Sequence, residues 1–277
     1  MRILITGALG QLGRALTEVF SDHDIIPTDL PEYDITDPGI VPVFTDMRPE
    51  LVIHCAALTN VDGCAKNPDL AFKVNAFGTQ NVAHACLRSN AEMVYISTNE
   101  VFDGTATEPY PEDAPPHPIN PYGSSKRAGE QMAARYVNQL YIVRTAWLYA
   151  PGSYMFPAKI IDAADKRGEL KVVTDEISNP TYVPDLAQAI AALVESHVYG
   201  IYHFTNAGYC SRFDFAREIL RLSGREHIPV HPITLADYPR PSVVPPFTAL
   251  ANTRGPEIGI EFRPWQEALA DYFRATS

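Results

Sequence analysis

Two short stretches of this chain hold residue types that could do chemistry together. In Tyr122-Gly123-Ser124-Ser125-Lys126 a phenol and an amine stand four residues apart. On a helix that spacing puts both side chains on one face, so both enter one cleft. A free tyrosine, with a pKa near 10, is a poor acid or base at neutral pH. A lysine beside it favours the phenolate and is expected to pull that pKa down; a shift of about 3 units corresponds to roughly 4 kcal/mol. Upstream, Ser97-Thr98 closes a strand-like run, where the Thr98 hydroxyl can hydrogen-bond a reacting oxygen or simply cap the strand end. The chemistry this trio offers is proton transfer to or from an oxygen.

The other stretch is Gly7-Ala8-Leu9-Gly10-Gln11-Leu12-Gly13, which follows the run Arg2–Thr6 and opens a helical pattern. Glycines spaced G-x-x-G-x-x-G allow a tight turn, close backbone approach to a pyrophosphate, and close packing of helix on strand. The pyrophosphate would then meet the free N–H groups of the helix N-terminus. Asp29 ends the next run, 22 residues after Gly7. There a carboxylate accepts hydrogen bonds from a ribose, or serves as a cap or surface charge. Cys55-Ala56-Ala57 closes a third run with small side chains, which let a cofactor lie against the strand end and also suit tight packing.

These residues need a scaffold, and the chain alternates accordingly. Short apolar runs at Arg2–Thr6, Asp24–Thr28, Leu51–His54, 93–97, 141–145 and 171–174 suit central parallel strands covered on both faces. Helical patterns lie between them at 12–20, 70–88, 124–137 and 156–166, which predicts right-handed crossovers and an α/β, doubly wound parallel sheet. Further helices are expected at 185–196, 212–223 and 264–273, around a proline-rich stretch at 229–256. The segment 108–121 is too long and proline-dense for an ordinary connection, and such loops are usually functional.

Composition narrows the function classes. The 277 residues are 46% hydrophobic, ordinary for a globular protein. The formal net charge of −11 argues against nucleic acid or anionic lipid as the main partner. No apolar run is long enough to span a bilayer, and Met1-Arg2 leads straight into a strand-like run rather than a signal peptide, so a cytoplasmic location is expected. Cys55, Cys64, Cys86 and Cys210 show no metal-ligand spacing and read as buried thiols, and no metal site is expected.

Beyond the two motifs, the chain resembles the dTDP-4-dehydrorhamnose reductase family, within the extended short-chain dehydrogenases/reductases. The stretches that carry the resemblance run over nearly the whole chain, among them MRILITGALGQLG, YISTNEVFDG, NPYGSSKRAGE, VRTAWLYA and NPTYVPDLA. It implies a Rossmann-type domain over residues 1–175, with contributions from 182–205, and a smaller C-terminal substrate-binding region over 206–277. It also implies reduction of a 4-keto sugar nucleotide at C4 by NADPH or NADH, most narrowly dTDP-4-dehydro-L-rhamnose to dTDP-L-rhamnose. Gly7, Gly10, Gln11, Leu12, Gly13, Asp29, Asp34, Ile35, Cys55, Ala56 and Ala57 would then contact the cofactor. Tyr122 would be the proton donor and Lys126 its partner, with Thr98 and Trp147 on the substrate side. Dimers are common in the superfamily, which makes a homodimer an expectation.

Two departures from the family pattern fall where the sugar nucleotide should lie. The usual S-T-D-Y-V-F stands here as Ser97-Thr98-Asn99-Glu100-Val101-Phe102, and an N-F pair is replaced by Met155-Phe156. Asn99 and Glu100, at a strand end, are expected to face the substrate. Arg240 and Arg254 are candidates for its diphosphate. Asp29 disfavours a 2′-phosphate, although Arg2 or Arg14 could offset it. A related epimerase or dehydratase, or a non-catalytic regulatory subunit of the same fold, are the competing readings. Glu100 supplies only half of the carboxylate pair that a dehydratase uses.

Overall fold

The computed structural model describes residues 1–276. Its centre is a sheet of β1 (Arg2–Thr6), β2 (Asp24–Thr28), β3 (Leu51–His54), β4 (Glu92–Thr98), β5 (Leu140–Thr145) and a sixth strand, Gly200–His203. Every neighbouring pair is parallel, in the spatial order sixth-β5-β4-β3-β1-β2. β3 and β5 are buried at every residue, as strands covered on both faces must be. Successive residues of β1 serve opposite faces. Ile3 and Ile5 pack with the helices Gln11–Val19 and Val183–Ser196, while Leu4 packs with Ile40–Asp46, Thr79–Ser89 and Pro121–Tyr136. From β1 the chain winds one way to β2 and the other way to β3, so a crevice opens at the carboxyl end of β1.

The run expected at 171–174 is a strand, but not of this sheet. Leu170–Val173 pairs with Val230–Ile233, inside the proline-rich stretch, and the edge position beside β5 goes to Gly200–His203. The reason lies in its surroundings: Lys171 is exposed, and no residue of its partner strand Val230–Ile233 is fully buried, unlike the central strands. Around it a separate apolar cluster joins Tyr149, Phe215, Trp265, Leu269 and Tyr272. The long loop before the Tyr122 helix is firmly held. Tyr110 exchanges backbone hydrogen bonds with Ala249 and Ala251, and the Glu112 carboxylate accepts from Thr253 and from the Arg254 amide.

One buried ion pair ties the sheet to the Tyr122 helix. Arg144 of β5 donates from Nε to Glu130 Oε1 at 2.8 Å and from Nη2 to Oε2 at 2.9 Å, with side chains 1% and 0% exposed. Ser97 Oγ and Arg127 Nη1 add donors, each at 2.6 Å. Removing one partner strands the other charge in the core. Arg144→Leu should therefore lower unfolding stability by about 3–5 kcal/mol, read from urea midpoints at unchanged m-value.

Candidate active site

The glycine turn is built by contact constraints. Gly7 has φ +67°, and a Cβ there would lie 2.7 Å from the Ala56 amide nitrogen; at Gly13 a Cβ would lie 2.2 Å from Gly7 O. These two glycines let β1, the end of β3 and the first helix meet, while Gly10 caps the helix with no side chain. The first turn carries no acidic residue, and Gln11 Oε1 is buried with no hydrogen-bond partner. An uncapped helix start with an orphaned polar atom beside it fits a pyrophosphate-bearing cofactor. Leu12 is buried in the core, so only its backbone is on offer.

Asp29 stands beside this turn, its Oδ2 accepting from the Leu9 amide and its Oδ1 from the Leu30 amide, both at 2.8 Å. It thus shapes the turn and still has lone pairs for a ribose. Arg14 reaches the same place, with Nε 2.8 Å from Leu9 O. Arg2 does not, because it pairs with Asp24 at the opposite end of the sheet. Asp34 is exposed and accepts from the Thr36 amide, which holds its carboxyl below the usual range. The Ile35 side chain is buried under Gly78, leaving its backbone as the accessible part. Cys55, Ala56 and Ala57 are half-buried at the crevice, and burial pushes the Cys55 thiol up to about 12, so it stays protonated.

The Tyr122 helix starts with a strong signal. Asn120 Oδ1 accepts from the Gly123 amide at 2.8 Å, and Pro121 follows as the first helical residue. Tyr122 and Lys126 share a face, as the spacing requires. The helix start packs against the end of β4, where a Cβ at Gly123 would lie 2.0 Å from Glu100 O, and the Thr98 side chain there favours the ionised form of the Tyr122 hydroxyl. The ammonium goes elsewhere: Lys126 Nζ donates to Ile96 O at 2.6 Å and lies 4.3 Å over the Tyr95 ring. Here the expected pKa argument is corrected. Burial and the Glu100 charge raise Tyr122 above the ordinary phenol value, Thr98 opposing, and Lys126 is not among the main causes. Burial in turn lowers Lys126 to about 8 against the charge of Glu130. A phenol raised in this way keeps its proton at neutral pH, so the proton is in place when a reacting oxygen arrives.

The substrate-side residues divide. Asn99 is 4% exposed and turned inward, its Nδ2 donating to Ser178 Oγ at 3.0 Å and to Thr248 Oγ1 at 2.6 Å. The expectation that it faces a substrate fails because a 3-10 turn, Asn99–Val101, breaks the strand alternation and a neutral amide can be buried between hydroxyls. Glu100 remains at the cleft, with Oε2 accepting from Asn120 Nδ2 at 2.7 Å. Burial raises its carboxyl to about 7; Asn120, Arg240 and Arg212 oppose the rise and Glu176 adds to it. Trp147 adopts φ +42°, with the Arg212 guanidinium 3.5 Å over its ring. Arg240 lies here too, paired with Asp62 at 3.1 Å. Arg254 does not, since it lies along the edge strand, donating to Ile201 O and covering the Tyr202 ring.

Sequence reasoning missed Arg212, Glu176 and Asn75. Asn75 sits in a π-helical turn, Lys73–Gly78, and bridges the Leu58 backbone to Ser125 Oγ. Such turns often mark functional segments, but nothing in the local sequence announces one. Arg212 and Glu176 are brought to the cleft only by tertiary pairing, at 2.9 Å. Among the described residues there is no group that could hold a metal ion, and no helix long and apolar enough to cross a membrane.

Glu100 makes stability pH-dependent in a definite sense. Its folded value of about 7 lies above the ordinary 4.5, so the stability it confers is full below about 4.5 and is lost as pH rises toward 7. Glu100→Gln should then gain on the wild type by on the order of 2 kcal/mol at pH 8, after allowance for partial exposure, and by nearly nothing at pH 4. Urea unfolding at the two pH values measures the difference.

With this geometry in place, comparisons with known proteins are informative. The family model described as the RmlD substrate binding domain matches residues 1–277. A dTDP-4-dehydrorhamnose reductase from Mycolicibacterium smegmatis is 38% identical, over 98% of this chain and 84% of that protein. The crystal structure of a dTDP-4-dehydrorhamnose reductase from Clostridium acetobutylicum is 40% identical, with a TM-score of 0.96 and 99% of both chains covered. A Bacillus anthracis dTDP-4-dehydrorhamnose reductase solved in complex with NADP is 39% identical, with a TM-score of 0.95 over 99% of each chain.

Proposed function

The chain belongs to the dTDP-4-dehydrorhamnose reductase family, and from that premise we propose that Tyr122, Thr98 and Lys126 carry its reaction. The protein is an oxidoreductase that reduces a 4-keto sugar nucleotide with NAD(P)H. Bound NAD(P)H supplies the hydride for the carbonyl carbon. The glycine turn, Asp29 and the backbone at Asp34-Ile35 and Cys55-Ala56-Ala57 would hold it. Tyr122 gives its hydroxyl proton to the carbonyl oxygen as negative charge develops there. Thr98 hydrogen-bonds the same oxygen, an interaction that strengthens with that charge. Lys126 would hold the nicotinamide ribose hydroxyls. The substrate we assign is dTDP-4-dehydro-L-rhamnose, the reading supported by the full-length matches to relatives named for that reduction.

The observation that carries this reading is the close packing of the Tyr122 helix start on the end of β4 at Thr98–Glu100, with Lys126 one turn further along the same helix face. A cofactor-oxidation assay over a panel of 4-keto sugar nucleotides tests it. Tyr122→Phe should lower kcat by about 10²-fold or more while cofactor Kd stays nearly constant. A variant that keeps a third of the wild-type turnover would remove Tyr122 from the mechanism.

Cofactor choice follows from the turn. Asp29 repels a 2′-phosphate, and Arg14 beside Leu9 partly offsets it. NADH should support turnover within about tenfold of NADPH, in keeping with two opposed charges each worth on the order of 1 kcal/mol at an exposed site. Comparison of kcat/KM for the two cofactors decides this. Strict dependence on NADPH would contradict the role given to Asp29.

A further inference from the structure

We infer that Arg212, together with Glu100 and Arg240, reads the hydroxyl groups of the sugar ring, so that the cleft prefers a 4-keto sugar with its ring hydroxyls in place over a ring-deoxygenated one. The inference deepens the 4-keto sugar nucleotide reading and rests on it.

Three side chains enter the cleft with one end anchored and the other end free. Glu100 is fixed through Oε2 to Asn120, while Oε1 receives no protein hydrogen bond among the described residues. Arg212 is fixed through Nε to Glu176 Oε1 and by stacking 3.5 Å over Trp147, while its terminal nitrogens have no protein acceptor among the described residues. Arg240 is likewise fixed through Nε to Asp62. Asn120 Nδ2, which holds Glu100, also donates to Val243 O and so ties the Arg240 segment to Glu100. Asn99 Nδ2 donates to Ser178 Oγ, which brings the segment of Glu176, and with it Arg212, to the same strand end beside Tyr122; both guanidinium groups act on the Glu100 charge there.

The charge balance says what these free ends are for. Glu176 and Asp62 already balance Arg212 and Arg240, and Glu100, titrating at about 7, adds only negative charge, so a diphosphate would gain little from the group. That revises the role first given to Arg240. A ring bearing hydroxyls fits better, because each hydroxyl both donates and accepts and so satisfies a carboxylate oxygen and a guanidinium N–H together. The fit is also selective. A ligand that dries these groups without meeting them leaves polar atoms unpaired, and the expected loss is about 10- to 100-fold.

The test compares kcat and KM for a dTDP-linked 4-keto-6-deoxyhexose and for its 2-deoxy and 3-deoxy counterparts. In the wild type at least one deoxy substrate should fall tenfold or more in kcat/KM. In Arg212→Met, which keeps an apolar cover on Trp147, and in Glu100→Gln, that ratio should collapse to within about threefold. Cofactor Kd serves as the readout of folding; should Arg212→Met fail it, Arg212→Lys, which keeps the charge and loses the planar fork, takes its place. Equal kcat/KM for all three substrates in the wild type, or a ratio that survives in both variants, overturns the inference and leaves the reductase reading intact. No reduction of any of the three overturns that reading itself.

Discussion

The architecture depends on how closely the helix Pro121–Tyr136 is able to dock on β4. Two glycines set the distance. A Cβ at Gly129 would lie 2.2 Å from the Tyr95 hydroxyl, and one at Gly123 would lie 2.0 Å from Glu100 O. With both absent, the helix settles onto the strand and fixes itself by polar contacts: Lys126 Nζ on Ile96 O, the Tyr95 hydroxyl on Lys126 O, and Ser97 on Glu130. Burial would push the Glu130 carboxyl up, but Arg144, Ser97 and Arg127 together hold it below the usual range, so it remains an anion with its donors satisfied. A buried charge tolerates no slack, because any displacement exposes one partner to an unpaired, low-dielectric surrounding. The helix is thereby held in one register against the strand.

The consequences for chemistry follow from that register. Tyr122 meets Thr98 because the helix starts where the strand ends, and Asn120 serves both elements by capping the helix with Oδ1 and holding Glu100 with Nδ2. The second glycine arrangement, at Gly7 and Gly13, brings the first helix to the switch point of the sheet, on the same carboxyl edge as the Tyr122–Thr98 corner, with β3 between β1 and β4. At the cleft the arginines are paired locally, Arg212 with Glu176 and Arg240 with Asp62, so the acidic surface elsewhere weighs less on a ligand there. Within a Debye length of about 8 Å it is those pairs, and not the distant surface, that a ligand meets.

Much of this was legible in the residues, and the gaps have physical reasons. Glycine spacing after a strand-like run implies a turn no other residue allows, and Gly7 with its positive φ meets that need. The four-residue spacing of Tyr122 and Lys126 likewise fixes a common face. Spacing along one helix says nothing about what stands opposite, however, and Lys126 finds a backbone carbonyl and an aromatic ring where a direct effect on the phenol was expected. Asn99 turns inward because its partners, Ser178 and Thr248, lie far off in sequence. Arg212 and Glu176 escape for the same reason, and so does the choice of Gly200–His203 over 171–174 as the sixth strand. Pairing between distant segments leaves no local periodicity to read.

The central claim is that the closeness of helix and strand places the Tyr122 proton. Gly123→Ala measures it most directly, since the added methyl must push against the Glu100 carbonyl next to the reacting pair while every polar side chain at the site is retained. Steady-state reduction of a 4-keto sugar nucleotide should show kcat falling by about 10²-fold, as expected for a displacement near 1 Å, with cofactor Kd changed by less than about threefold. Wild-type kcat in Gly123→Ala would contradict the account, because the proton donor would then work without the contact that positions it.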